Sequence, residues 1–461
     1  MAGHLLLPKS SVKGISWPAI LPPPASALLA LQFQFEQTQW WSVGDILRQQ
    51  FRQFEPLLAH AAETVVFYQG RFKAAGYDPI RDGVTPEIWS KLPFLKREDI
   101  QLAGNDLLSR RLPPDHGKLL EHFTSGSMGK PIHTFGTEVT HFFWNAITLR
   151  DHLWHKRDLT GKLASIRTTV TDQVRQGWGP STDAVFDTGQ CATLNIKADM
   201  GTQVQWLVQQ DPDYLLSHPS NIRALAQLCL DKNIRLPRLR EVRTFGETLG
   251  PDLRSLCREV WGVPLVDAYS SEEVGYIALQ CPDHEHYHVQ AESLLVEVLN
   301  DQGKPCAPGE VGKVVVTTLH NFAMPLIRYE IGDYAEVGDP CPCGRGLPVL
   351  KRIMGRQRNL LTMPDGRQHW PSFPAKCWLL IAPVRQFQLI QRDPENIEVR
   401  FVADRPITQA EEQELAVMLH ERLGYPFRIG FVQLERIERS SSYKFEDFIS
   451  EVAHLAALSS R

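Results

Sequence analysis

No stretch of this chain has about 18 consecutive apolar residues, so the sequence excludes a transmembrane helix. It has no long run of charge of one sign, and its formal net charge is only −4, which indicates no surface for nucleic acid or membranes. Cysteine is sparse: eight in 461 residues make no disulfide framework and fit a reducing compartment with one metal site. Pro8 and the prolines at 22–24 interrupt any signal-peptide core. These absences predict a cytoplasmic enzyme without nucleic-acid or membrane partners.

The chain does have the composition of a globular protein of two or three domains, with 43% hydrophobic and 22% charged residues. Residues 1–40 are rich in proline and small residues, and we interpret them as an irregular arm. Helix and strand patterns alternate over residues 213–275, which predicts a parallel sheet with crossover helices. Residues 289–339 have strand patterns that indicate an antiparallel β subdomain.

The predicted fold class is therefore α/β. A large domain of residues 1–357 contains the crossover sheet and the β subdomain, and a small α+β domain of residues 358–461 follows. The patterns predict helices over 42–76, 138–156, 221–231, 251–261 and 408–423, and strands over 241–245, 264–269, 294–299, 311–319, 325–334, 384–390, 396–401 and 427–434.

A loop rich in glycine and hydroxyl groups is the first candidate site. Its backbone N–H groups can turn toward one point because Gly126 and Gly129 accept a positive φ at little cost. Hydroxyl groups and a lysine complete a phosphate cradle, whose residues are Thr124, Ser125, Gly126, Ser127, Gly129 and Lys130. Pro131 follows the lysine, so the loop is expected to link two strands rather than to open a helix, as the Walker loop does. The alternative is an ordinary hairpin loop.

Two polar clusters follow predicted parallel strands, at the edge where such sheets bind ligands. Gly246, Glu247 and Thr248 come after one strand, and residues 269–273, Tyr-Ser-Ser-Glu-Glu, come after the next. Further along, Asp333 ends the segment 327–333, Ile-Arg-Tyr-Glu-Ile-Gly-Asp.

In this order, the segments resemble those of the adenylate-forming, acyl-CoA-synthetase superfamily, within it the phenylacetate–CoA ligase and capsular-polysaccharide-biosynthesis group. The resemblance covers about residues 42–450. It implies that the loop with Lys130 holds phosphate, that Gly246, Glu247 and Thr248 lie against adenine, and that Tyr269 stacks on adenine. It also implies that Glu273 holds Mg²⁺, that Asp333 and Arg356 bind ribose, and that Lys444, on a mobile small domain, is catalytic with Lys130 and Glu273.

The implied activity is ATP-dependent conversion of a carboxylic acid to its acyl-adenylate with release of pyrophosphate. The acyl group then passes to coenzyme A, a carrier-protein thiol or another nucleophile, and a homodimer is compatible with the sequence. Two residues depart from the family pattern: Glu272 replaces a hydroxyl residue, and Arg358 replaces a hinge aspartate. They support an alternative, a non-catalytic nucleotide-binding scaffold or sensor. A hydrolase or nucleotidyltransferase using the same site is a third hypothesis.

A second constellation has the composition of a structural zinc site. Cys281, His288, Cys341 and Cys343 are the predicted ligands, because two short loops about sixty residues apart would supply four soft or borderline donors. His284 and His286 are alternatives to His288, which adjoins a predicted strand and is therefore the best held. Free thiols with solvated histidines are the other interpretation.

Overall fold

A computed structural model describes residues 7–123, 132–168, 170–439 and 444–452. In chain order, the helices are α1 Ala25–Thr38, α2 Val43–Thr64, α3 Val66–Ala74, α4 Pro79–Asp82, α5 Pro86–Lys91, α6 Arg97–Ala103, α7 Glu138–Trp154, α8 Pro180–Asp183, α9 Met200–Gln210, α10 Pro219–Asp231, α11 Leu253–Trp261, α12 Ala375–Leu379 and α13 Gln409–Leu423. Short 3₁₀ turns span Gly104–Leu107, Pro114–His116 and Gln357–Asn359.

The strands are β1 Leu119–Phe123, β2 His133–Thr137, β3 Leu163–Arg167, β4 Gln173–Gln176, β5 Gln190–Asn195, β6 Tyr214–Ser217, β7 Glu241–Phe245, β8 Leu265–Ser271, β9 Gly275–Gln280, β10 Tyr287–Val289, β11 Leu294–Leu299, β12 Val311–Thr318, β13 Tyr329–Val337, β14 Val349–Arg356, β15 Leu361–Thr362, β16 Gln368–His369, β17 Val384–Gln391, β18 Asn396–Ala403, β19 Arg428–Gln433 and β20 Phe448–Ser450.

Within the described residues, one sheet of twelve strands forms the large body, in the order β11-β12-β13-β14-β10-β9-β8-β7-β6-β3-β5-β4. The run from β8 to β5 is parallel, which confirms the predicted crossover unit. The antiparallel strands of the predicted β subdomain continue the same sheet, because β9 pairs with β8 and joins the two parts.

Apolar side chains cover both faces of the parallel strands. Helices α9, α10 and α11 pack on one face, where Leu207, Leu225 and Cys257 are fully buried against Ala164 and Val242. Helices α2 and α7 contribute to the core on the other face. Because helices cover both faces of these strands, the place where a ligand can bind is the edge formed by their carboxyl ends.

The interpretation of residues 1–40 as an irregular arm is wrong for its second half. Helix α1 follows the prolines at 22–24, buries Leu28 and Phe35, and is held against α7 by Gln32 Nε2, which donates to the Ala146 carbonyl at 2.7 Å. Proline is tolerated just before a helix, so its presence here marked a helix start rather than continued irregularity.

A four-stranded sheet in the order β19-β18-β17-β20, with helix α13, forms the C-terminal body. Thr408 and Glu411 form a capping box at the start of α13, and Gly424 ends the helix with φ 71°. A separate core includes the fully buried Leu361, Trp378 and Leu389. The small α+β fold over these residues is confirmed. No helix in the described part of the chain is long and apolar enough to cross a bilayer.

Candidate functional site

Two predicted nucleotide-binding segments follow neighbouring parallel strands. Gly246, Glu247 and Thr248 come directly after β7, and Tyr269 lies near the end of β8, which pairs with β7. They border a cavity of about 890 Å³ between the large sheet and the C-terminal body. The same cavity is bordered by the other described candidates for the active site, Glu273, Asp333, Arg356 and Lys444.

Tyr269, Asp333 and Arg356 meet at this cavity. The Tyr269 hydroxyl donates a hydrogen bond to Asp333 Oδ2 at 2.7 Å, and Arg356 Nε lies 3.5 Å from Asp333 Oδ1. Asp333 and Arg356 are opposite each other in the β13–β14 register, so the sheet itself fixes this pair. The aspartate is therefore oriented on one side by a phenol and on the other by a guanidinium.

Burial governs the electrostatics of this group. It raises the pKa of Asp333, while the neighbouring Arg356 charge and the hydrogen bond from Tyr269 act in the opposite direction. Burial also raises the pKa of Tyr269 well above its usual value, so this phenol remains a donor at neutral pH. A partly desolvated carboxylate is a strong acceptor for hydroxyl donors such as those of a ribose diol.

Glu273 is paired with a residue that the sequence analysis did not single out. Arg97 Nη1 lies 3.9 Å from Glu273 Oε1, and both side chains are mostly buried. Glu272, in contrast, is exposed, although it also borders the cavity. A carboxylate at the cavity is the kind of hard oxygen ligand that Mg²⁺ takes, and Glu273 therefore fits the implied role.

Buried contacts hold the segment that carries Arg97. Arg328 Nη1 donates to the carbonyl oxygens of Trp89, Ser90 and Leu92 at 3.2, 3.0 and 2.7 Å. Leu95 N donates to the Arg328 carbonyl at 2.9 Å, which ties the approach to α6 onto β13. In the sequence, Arg328 of the segment Ile-Arg-Tyr is the signal for this contact. The carbonyl groups that it binds lie more than 200 residues earlier in the chain.

Lys444 reaches the edge of the large sheet. Gly246 has φ 77°, and a Cβ atom added to it would lie 3.5 Å from Lys444 Cε. A larger residue at position 246 would therefore meet the lysine. The neighbouring His218 has its pKa lowered to about 4, first by burial and also by the Lys444 charge. Lys444 thus lies beside Gly246 and near His218 at the border of the cavity.

Arg358, the second departure from the family pattern, has an acidic partner. Arg358 Nε donates to Glu446 Oε1 at 3.1 Å, and its Nη2 lies 2.7 Å from Glu446 Oε2. This two-point ion pair joins the 3₁₀ turn after β14 to the segment just beyond Lys444. The arginine therefore orders this region, although with a different partner from the one an aspartate would take.

The predicted phosphate loop falls outside the described residues, and with it Thr124, Ser125, Gly126, Ser127, Gly129 and Lys130. The flanking strands β1 and β2 pair antiparallel, with Phe123 opposite His133. The prediction that this loop links two strands is thereby confirmed.

The predicted metal ligands converge on a second site, away from the cavity. The ligand atoms of Cys281, His286, His288 and Cys341 all lie within 4.8 Å of one another. Cys281 Sγ is 3.8 Å from Cys341 Sγ, and His286 Nε2 is 2.9 Å from Cys341 Sγ. Cys343 Sγ lies 3.5 Å from His288 Nε2 and forms a second group with Cys281 and Asp283.

Two separations in this cluster match those between ligands of a tetrahedral zinc site, Cys281 Sγ to Cys341 Sγ and Cys343 Sγ to His288 Nε2, whereas the 2.9 Å between His286 Nε2 and Cys341 Sγ is shorter than the roughly 3.5 Å expected there. Zn–S bonds of about 2.3 Å at the tetrahedral angle place two sulfurs about 3.8 Å apart, which is the separation found between Cys281 and Cys341. His286 was only an alternative in the sequence analysis. It joins the cluster from the bend just before β10, whereas His288 lies on β10 itself.

Comparisons with known proteins agree with this architecture. The chain has the fold of the adenylate-forming ligases, and it superposes on a 2-hydroxyisobutyryl-CoA ligase in the postadenylation state, complexed with an acyl-AMP, with a TM-score of 0.72. That superposition covers 92% of this chain and 94% of the ligase at 16% identity. The same ligase in the thioesterification state, bound to CoA, gives a TM-score of 0.60.

In sequence, the chain is similar to phenylacetate-coenzyme A ligases, which confirms the predicted resemblance. It is 27% identical to the one from Thermus thermophilus over 352 residues, covering 73% of this chain and 76% of the relative. The Escherichia coli ligase is 25% identical, with 69% and 73% covered. Residues 375–451 match the model of the CapK C-terminal domain.

Proposed function

We propose that this protein is an ATP-dependent ligase that activates a carboxylic acid. An oxygen of the acid attacks the α-phosphorus of ATP, the bond to the β-phosphate breaks, and acyl-adenylate and pyrophosphate form. A thiol then attacks the acyl carbon, and AMP leaves with the oxygen that came from the acid.

One observation carries this proposal: segments from four distant parts of the chain meet at one cavity. Gly246 directly follows β7, Tyr269 lies on β8, Asp333 on β13 and Lys444 in the C-terminal body, and all four border the cavity. If this edge of the parallel sheet only stabilised the fold, it would not need a desolvated carboxylate, a fixed phenol and a cation at the same place.

Each group has a role that its contacts support. Asp333, held by Tyr269 and Arg356, accepts hydrogen bonds from the ribose hydroxyls and fixes the position of the α-phosphate. Lys444 places a positive charge beside the oxygens on which negative charge develops. Lys130 and the loop 124–129 are proposed to hold the departing pyrophosphate. Glu273 would hold Mg²⁺, which neutralises phosphate charge when bound.

Coenzyme A is the proposed thiol. The named relatives are CoA ligases, and the structural neighbour has been solved in both its postadenylation and CoA-bound states. The acid is proposed to be a small molecule of the aryl or acyl type. If the transfer assay described next shows no thioester with coenzyme A, the acceptor would instead be a carrier-protein thiol or an amine.

Pyrophosphate–ATP exchange tests the proposal. We expect exchange that depends on one or a few members of a panel of aryl, acyl and amino acids, and thioester formation when coenzyme A is added. Tight ATP binding with no exchange for any acid would support the non-catalytic scaffold. Acid-independent breakdown of ATP would support the hydrolase hypothesis.

The division of the chain at residues 357 and 358 is also part of the proposal. It is supported by the 3₁₀ turn Gln357–Asn359 between β14 and β15, and by a C-terminal core whose first member is Leu361. A short turn between two separately packed cores is a suitable hinge for the small domain.

We also propose that zinc binds the cluster of Cys281, His286, His288 and Cys341, with Cys343 as the alternative sulfur ligand. The cluster joins the end of β9, the start of β10 and the turn before β14. A closed site of four protein ligands leaves no position for substrate, so the metal would stabilise the fold rather than act in the reaction.

Replacing Cys281 with serine is expected to remove zinc and to lower the melting temperature by several degrees, since zinc binding appears as folding free energy. Elemental analysis should find one zinc per chain in the unmodified protein purified without added metal. Cys306→Ser is the matched control, because Cys306 lies outside the cluster and should leave metal content unchanged. A metal-free unmodified protein with the same melting temperature as Cys281→Ser would contradict the proposal.

A further inference from the structure

Glu247 makes contacts that its assignment to the adenine segment does not explain. Its Oε2 accepts a hydrogen bond from Ser220 N at 2.8 Å, and its Oε1 accepts one from the Ser220 hydroxyl at 3.0 Å. Oε1 also accepts a hydrogen bond from Phe445 N at 2.9 Å. Ser220 lies in the first turn of α10 on the large sheet, whereas Phe445 directly follows Lys444. One carboxylate therefore bonds to both bodies of the protein.

The large-domain side of this contact is a fixed anion site. The first turn of a helix presents backbone N–H groups that need acceptors, and Glu247 supplies one to α10 from a different segment of the chain. Burial raises the pKa of Glu247, and the hydrogen bonds from Ser220 and Phe445 oppose that shift. Both bonds between Glu247 and Ser220 lie within the large domain and need no residue of the C-terminal body.

A second residue of the C-terminal body contacts the same place. Arg439 Nη1 donates to the Ser220 hydroxyl at 2.8 Å, and its guanidinium carbon lies 5.7 Å from the centre of the Phe445 ring. The Arg439 charge also favours the ionised form of Glu247. Ser220 and Glu247 therefore form the large-domain half of a contact whose other half is Arg439 and Phe445.

The position of this contact gives it a consequence for the reaction. The bonded amide belongs to the residue next to Lys444, so holding Phe445 N holds the lysine against Gly246. The structural neighbour exists in two states, and this chain superposes better on the postadenylation state than on the thioesterification state. A bond that fixes one pose must break before the other is reached.

We infer that Glu247 is a positioning residue that holds the catalytic-lysine segment in place for adenylate formation and releases it for acyl transfer. This inference rests on the proposed function. The bonds to Ser220 stay within the large domain in both poses, and the bond to Phe445 exists only in the first. Loss of the carboxylate should therefore affect the two half-reactions differently, which loss of general stability would not.

The test uses Glu247→Ala in the full chain, with the two half-reactions measured separately. Pyrophosphate–ATP exchange should fall roughly 10- to 100-fold, as expected when a hydrogen bond to a charged group is lost. Thioester formation from added acyl-adenylate and coenzyme A should fall much less than exchange does, because the bond to Phe445 is not needed in that pose. Ser220→Ala is the matched control, because it keeps the Glu247–Phe445 bond and the backbone donor and should lower exchange much less.

Hydrogen–deuterium exchange of the unliganded protein supplies a readout that needs no activity. The amide of Phe445 should be protected in the unmodified protein and should exchange faster in Glu247→Ala, whereas amides of the C-terminal core should keep their protection. Equal loss of both half-reactions, or unchanged protection at Phe445, would overturn the inference. An unmodified protein inactive in both half-reactions but with the predicted change in protection would instead contradict the proposed function, and would leave Glu247 only as a contact between the two bodies.

Discussion

Replacing Lys444 with alanine is expected to lower acid-dependent pyrophosphate–ATP exchange by about 10²–10³-fold. The lysine lies beside Gly246 at the carboxyl edge of the parallel strands, and its charge is felt by Asp333 and His218. Without it, charge developing on the reacting oxygens loses a preorganised cation. Steady-state exchange at saturating ATP and acid measures the effect.

Two measurements separate this loss from damage to the fold. ATP binding and the melting temperature of Lys444→Ala should be close to those of the unmodified protein, because the lysine is not part of the C-terminal core. Lys313→Ala is the control for removing a lysine charge, since Lys313 pairs only loosely with Asp301 at 3.9 Å and lies on β12. Exchange of Lys444→Ala at the unmodified rate would remove Lys444 from the mechanism.

Asp333→Ala is expected to weaken ATP binding more than any other single carboxylate replacement. Two charge-assisted hydrogen bonds to a ribose diol are together worth roughly 2–5 kcal/mol when buried, or about 30- to 5,000-fold in the dissociation constant. The loss should be similar for ATP and AMP, because both carry the same ribose. Calorimetric titration with a non-hydrolysable ATP analogue and with AMP measures it.

Tyr269→Phe is the matched variant for this site. It removes the hydroxyl that donates to Asp333 at 2.7 Å but keeps both the aromatic ring and the carboxylate. We expect a much smaller loss of affinity than for Asp333→Ala, on the order of tenfold or less. Unchanged affinity in Asp333→Ala would mean that the segment 327–333 serves only the structure of β13.

Local patterns in the sequence predicted the individual elements well. The strands over 241–245 and 294–299 have the bounds that the structure shows, and the second is a short, largely apolar run between polar turns. The helix over 408–423 was also marked by its chemistry, with Thr408 and Glu411 at its start and Gly424 at its end.

Long-range pairing was what the sequence could not show. Nothing in β8 or β9 alone indicates that their hairpin joins the parallel and antiparallel strands into one sheet. Helix α1 was missed because prolines precede it and because its stability depends on contacts with α7. The assignment of strands to a subdomain required knowledge of neighbours that are distant in the chain.

The candidate site divides in the same way. Tyr269, Asp333, Arg356 and Lys444 could be named because the resemblance supplies their order, and the structure places all four at one cavity. No motif marked Arg97 or His218. Arg97 was found through its contact with Glu273, and His218 through its position near Lys444. The roles of all these residues, a cytoplasmic location and a homodimer stay predictions.

Transfer of an acid oxygen to AMP tests adenylate formation most directly. The acid that supports exchange is labelled with ¹⁸O in both carboxylate oxygens and incubated with ATP and coenzyme A, and the nucleotide products are examined by mass spectrometry. We predict AMP with one ¹⁸O atom per turnover and unlabelled pyrophosphate, because the acid oxygen that attacks the α-phosphorus leaves with AMP. Unlabelled AMP, or ADP with the label in inorganic phosphate, would contradict the proposed reaction.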